Sequence, residues 1–136
     1  MGVEEAVHKA VHDILALPQT ALYVLVGGRV FDRVPDPPPG YPYIAIGAIE
    51  VLDDSNTCSD ASDVHVTLHV WSNAVGTIEA KRIGALVRAA LAPADNLAFD
   101  GFTTSVSAFG ASVYRPGADP LLTEGVLTFN YLVDPQ

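Results

Sequence analysis

The stretch DVHVTLHVWS, residues 63–72, decides how this chain is read. It sets His65 and His69 four residues apart, the spacing at which two histidines on a helix can share a metal ion. Val64, Val66, Leu68 and Val70, however, alternate with His65, Thr67, His69 and Trp71. A period of two, rich in β-branched residues, is the pattern of a half-buried strand. Along a strand, positions i and i+4 lie roughly 13 Å apart, whereas one ion holds its nitrogen ligands at about 2 Å each. The two histidines therefore belong to the less apolar face of a sheet, and not to one metal.

Elements can be placed on either side of this strand. After SNAVG, the segment TIEAKRIGALVRAALA predicts a helix that buries Ile83, Leu86, Val87, Ala90 and Leu91 and turns Lys81, Arg82 and Arg88 outward, closed by Pro93. Glu79 near its start and Arg88 near its end suit the helix dipole. Before the strand, LDDSNTCSDAS is a polar, acidic loop with Asp53, Asp54 and Asp60, and Asp63 just beyond it. It lacks the central glycine and closing glutamate of a calcium-binding loop. Residues 43–51 read as a central strand, apolar on both faces, with Gly47 marking a bend or a close neighbouring backbone. Pro35, Pro37, Pro38, Pro39 and Pro42 force an extended crossing into it.

Val3, Val7, Val11, Ile14 and Leu15 recur at helical spacing and predict a first helix over about 3–16. His8 and His12 flank its buried stripe. Pro18 ends this helix or opens a short second one, which Gly27 and Gly28 stop. Two strands complete the chain. One runs from about Thr104 to Arg115 with a bulge at Gly110; in the other, Leu127, Phe129, Tyr131 and Val133 line one face, and Thr128 and Asn130 the other. The turn PGADP between them makes them antiparallel. The order predicts an α+β fold: a mainly antiparallel sheet of four strands, or slightly more, with helices packed on one face.

Composition bounds the function. With 136 residues, 49% of them hydrophobic and 17% charged, the chain predicts one globular domain over 1–136. No apolar run approaches the roughly 20 residues of a membrane span, and the N-terminal segment has no signal-peptide core. A soluble, unsecreted protein without a membrane partner is expected. Cys58 stands in the polar loop without a basic neighbour and reads as a passive thiol. The net charge of −9 argues against gripping nucleic acid, yet suits a surface past which DNA slides without sticking.

No phosphate-binding loop and no nucleophile elbow is present, so neither catalysis nor a cofactor is expected. The conspicuous surface is the second face of the sheet, with His65, Thr67, His69, Trp71, Ser105, Ser107, Thr128 and Asn130. Half polar and half aromatic, it is a candidate protein interface. Asp53, Asp54, Asp60 and Asp63 of the adjoining loop extend that candidate.

The order of the motifs LVGGRVFDRVPDPPPGYPYIAIG, HVTLHVWSNAVGTIEAKRIGALVRAAL and EGVLTFNYLV resembles that of the tail-completion, or tail-terminator, proteins of long-tailed phages and gene transfer agents. Gly28, Arg29, Phe31, Asp32, Pro35, Pro42, Tyr43, His65, His69, Trp71, Ser72 and Leu91 match the family pattern. The chain departs from it in a longer Pro-rich crossing and in Asn73, where arginine is common. The resemblance implies a structural neck protein located in the virion and made in the host bacterial cytoplasm. Its copies, usually six, would form a ring that ends the tail tube and joins it to the head connector or stopper, with double-stranded DNA passing through the channel. The competing reading is a non-viral α+β protein-binding module without catalysis.

Overall fold

The computed structural model describes residues 2–38, 40–53, 61–92 and 101–135, with the backbone alone at Asp53 and 105–108. The expectations that fall on Asp54, Cys58, Asp60 and Pro93 lie outside the described residues.

Helix α1 (Val3–Leu15) buries Val7, Val11 and Leu15 of the predicted stripe together with Ala6, while Val3 and Ile14 are half-buried against the core, and it carries Glu4 and Glu5 in its first turn. Helix α2 (Ala21–Val26) starts at Thr20, whose Oγ1 accepts a hydrogen bond from the Tyr23 N–H at 3.0 Å. It ends at Gly27, which adopts the left-handed conformation with φ 65°. The two-residue strand β1 (Val30–Phe31) follows. Arg29 fixes the Pro-rich crossing, its Nε donating to the carbonyl of Pro42 at 2.9 Å. The Arg29 carbonyl also accepts from the Ile44 N–H at 2.9 Å. The crossing thus delivers the chain into β2 (Tyr43–Asp53) alongside β1.

Strands β2, β3 (Ser62–Ser72), β4 (Phe102–Pro116) and β5 (Thr123–Pro135), with β1, form a five-stranded sheet of order β1-β2-β3-β5-β4. All pairs are antiparallel except β1–β2, which is parallel. The fold is α+β, and the strand unforeseen in the sequence is β1. Two residues are too few to show a period; their pairing depends on the Arg29 and Pro42 contacts.

Val64, Val66, Leu68 and Val70 of β3, and Leu127, Phe129, Tyr131 and Val133 of β5, are fully buried on one face, where Val64 lies opposite Tyr131, Val66 opposite Phe129 and Leu68 opposite Leu127. They meet α1, α2 and α3 (Ile78–Leu91) in one cluster with Val7, Val11, Leu15, Val26, Ile83, Val87 and Leu91. The helices therefore cover one face of the sheet. Among the described residues, no helix is long and apolar enough to cross a membrane.

Two local expectations change. Strand β2 is not central. On its outer side β1 pairs only Ile44 and Ala45, and Ala48, Glu50 and Leu52 are exposed. Its second apolar face is small alanines and Tyr43, which is buried under the rings of Phe31 and Tyr41 rather than under a helix. Strand β4 contains two bulges, between Thr104 and Val106 and between Phe109 and Ala111. Each shifts the alternation by one, so Ser105 falls at a register break and Ser107 lies opposite Tyr131, not beside Thr128 or Asn130.

Candidate functional site

The unbroken register of β3 with β5 places His65 opposite Asn130, Thr67 opposite Thr128, His69 opposite Val126 and Trp71 opposite Glu124. All eight are half-buried although no helix lies over them. Their arrangement is fixed by two sets of contacts between a histidine and a carboxylate. His65 Nε2 is 3.1 Å from Oδ2 of Asp63, two residues earlier on the same edge of the same face. His69 Nδ1 is 3.1 Å from Oε2 of Glu124, whose other oxygen accepts from Nε of Arg115 at 3.1 Å. The Glu124 side chain is only 13% exposed against 59% for Arg115. A carboxylate so seated is held between two cationic-capable groups from β3 and β4, and the row His69–Glu124–Arg115 spans three strands. Trp71 lies over the β4–β5 turn, close enough that a Cβ on Gly117 would meet its Cζ3 at 2.9 Å.

The two histidines thus engage different carboxylates, and among the described residues no three His, Cys, Asp or Glu side chains stand close enough to hold a metal. Of the acidic residues singled out, Asp63 belongs to the face through His65, and Asp53 ends β2 opposite Ser62. The structure brings His65, Thr67, His69, Trp71 and Asp63 together.

Ser72 is fully buried, and its partner is not a histidine. Its Oγ donates to Oε1 of Glu79 at 2.7 Å and accepts from the Ala74 N–H at 3.2 Å, which ties the end of β3 to the start of α3. That arrangement closes the turn from β3 into α3, with the hydroxyl shared between the Glu79 carboxylate and the Ala74 N–H. At the far end of α3, the Tyr131 hydroxyl donates to the Leu91 carbonyl at 2.9 Å, satisfying one of the helix's terminal acceptors. Burial pushes that hydroxyl well above the usual tyrosine range.

Sequence reasoning missed Glu124 and Arg115. The only signal was their flanking of the PGADP turn, and its meaning depends on the register Trp71 to Glu124. It also missed an apolar end of the molecule. The loop 73–77 and the turn 117–122 lie side by side, joined by Thr123 Oγ1 donating to the Gly76 carbonyl at 3.2 Å. Val75 and Leu121 stand exposed there around a shallow cavity, and Ile78, also exposed, follows at the start of α3.

Residues 6–134 match the family described as Tail completion protein gp17. The chain belongs to that family. Among solved structures it is similar to a chain of the virion of a native gene transfer agent (GTA) particle, with a TM-score of 0.88 and 27% identity. The alignment covers 98% of both chains. A comparison with curated protein sequences finds no match. Arg29 and Pro42 anchor the crossing, Ser72 anchors α3, and the alternating His65 and His69 hold the polar face.

Proposed function

We propose that this protein is a structural neck component of a tailed phage or phage-like particle. Copies of it, six in our reading, form a ring that ends the tail tube and joins it to the head connector. The single observation that carries this reading is the match over 98% of both chains to a component of a gene transfer agent virion. A likeness that spans nearly the whole of both chains favours a shared place in a particle, not merely a shared fold.

The chemistry of the surface supports the same role. An exposed apolar end with Val75, Ile78 and Leu121 suits a contact that is covered on assembly. The face with His65, Thr67, His69 and Trp71, together with Asp53, Asp54, Asp60 and Asp63, supplies polar contacts to the tail tube or a neighbouring copy. A net charge of −9 lets DNA pass a channel without being trapped. The role requires neither catalysis nor cofactor, and the protein is made in the bacterial cytoplasm before it joins the particle.

Electron microscopy of particles carrying a labelled copy of the chain tests this. A ring of label at the head–tail junction is the expected result. Label at the distal tail tip or within the capsid shell overturns the assignment.

A further inference from the structure

The two edges of the sheet are chemically unlike. Among the described residues β4 pairs with β5 alone, so its other side is an edge of the sheet. Natural edge strands are kept from pairing by shortness, by proline, by charged side chains or by bulges. Strand β4 is 15 residues long, and residues 102–114, FTTSVSAFGASVY, contain neither a charge nor a proline. After the bulge at Gly110 the strand runs in regular register from Ala111 to Pro116. Its residues 110–113 are exposed, Val113 to 53%. Charge appears only on its flanks. Arg88 stands over the Phe109 ring at 4.3 Å, Lys81 and Arg88 border a small cleft with Ser112 and Tyr114, and Arg115 follows.

At the opposite edge β1 covers only Ile44 and Ala45 of β2. Where β1 stops, an open groove of about 550 Å³ runs beside β2, lined by Glu4, Glu5 and Lys9 of α1, by Asp32, and by Gly47 and Ile49. Three of its four formally charged residues are acidic, and the exposed Glu50 extends the negative rim along β2.

We infer that these two edges are partners in neighbouring copies: the uncharged edge of β4 docks beside β2 in the groove of the next molecule, continuing the sheet from copy to copy. This rests on the ring reading above and names the surfaces that build the ring. Charge complementarity selects the occupant, because Lys81, Arg88 and Arg115 flank one edge and Glu4, Glu5, Asp32 and Glu50 rim the other. Strand direction agrees. Strand β2 is antiparallel to β3, β3 to β5, and β5 to β4, so β4 runs opposite to β2. In a ring whose copies all point the same way, β4 of one copy therefore meets β2 of the next as an antiparallel pair. Joining two different patches head to tail is also the interface type that closes into rings, and strand addition to an open edge is an established mode of recognition.

A charge swap tests the inference in particle-producing cells. Lys81→Glu with Arg88→Glu sets acid against acid, and Glu4→Lys with Glu5→Lys sets base against base. Each pair is expected to lower completed particles tenfold or more while the purified chain melts cooperatively. If the Glu4 and Glu5 pair impairs folding, Asp32→Lys takes its place. The chain with all four reversals, and a mixture of the two double variants, should recover assembly, because every interface again joins opposite charges. Loss in the double variants without recovery in either arm, or wild-type yield from both, overturns edge pairing. Counting wild-type copies in purified particles separates this from the parent reading: a single copy per particle defeats the ring itself, whereas a ring indifferent to the swap defeats only these edges.

Discussion

Tyr114 and Gly84 share one space. A Cβ built on Gly84 in the middle of α3 would run into the Tyr114 hydroxyl, so the ring of β4 reaches across the helix only because residue 84 has no side chain. On the other side, a Cβ at Gly125 would meet Tyr114 Cε1 at 2.8 Å. The tyrosine therefore sits in a slot between two glycines, and fastens the edge strand β4 to α3. Gly84→Ala should improve helix propensity by about 1 kcal/mol, yet overpacking costs about 1–3 kcal/mol. A net loss of stability is expected. Combining it with Tyr114→Phe, which removes the clashing oxygen, should restore part of that loss in a double-mutant cycle followed by urea unfolding. An alanine variant as stable as wild type would show that α3 and β4 can part without cost.

Alkaline pH should weaken the fold through Tyr131. Burial raises its folded-state pKa above the unfolded value. Below the unfolded pKa of about 10 the stabilisation is fully present. As pH climbs between the unfolded and the folded value, the unfolded chain releases a proton that the native state retains. Stability falls with rising pH across that window. Tyr131→Phe should lose about 1 kcal/mol at neutral pH with the bond to the Leu91 carbonyl, and should show a shallower decline above pH 10. Tyr43 and Tyr114 are also shifted upward by burial, so the comparison is with wild type at each pH. Parallel curves for the two proteins would remove Tyr131 from the account.

What the sequence disclosed and what it hid follow from how local each cause is. Strands β3 and β5 were legible because their faces meet different surroundings, buried helices on one side and a half-wet surface on the other. Helix α1 was legible for the same reason. In strand β4 the bulge at Gly110 was legible, whereas the one between Thr104 and Val106, which no glycine or proline marks, was not. Strand β1 is two residues long and exists through Arg29 reaching Pro42. At the candidate site, the histidines and Trp71 could be read from alternation alone. Their partner Glu124 is 55 residues from His69, and only the register of β3 with β5 joins them. The slot around Tyr114 has no sequence signature, since neither Gly84 nor Gly125 differs locally from any other glycine.

Divalent metals should neither bind to nor stabilise the chain. His65 is engaged with Asp63 and His69 with Glu124, and at their roughly 13 Å separation along a strand the two cannot reach one ion. Thermal melts with excess chelator and with added zinc should superimpose on the untreated protein. A shift of several degrees in either direction would require ligands outside this pair.

The last prediction concerns the segment between β2 and β3. The two strands are already paired at Asp53 and Ser62, so their backbones stand at hairpin distance where residues 54–61 begin and end. Antiparallel neighbours can be joined through about two to five residues, and this connection is longer than the fold requires. It is also polar, DSNTCSDA, and a long connection in a small domain commonly serves binding. In the ring we propose, these residues with Asp54 and Asp60 contact the tail tube or an adjacent copy. Replacing 54–60 with a two-residue turn, while keeping the buried Ala61, should leave the melting temperature within a few degrees of wild type. Complementation with that variant should nonetheless yield heads and tails that fail to join, counted by electron microscopy. Normal yield of joined particles would reduce the segment to a spacer, whereas a collapsed melting temperature would show that it contributes to folding instead.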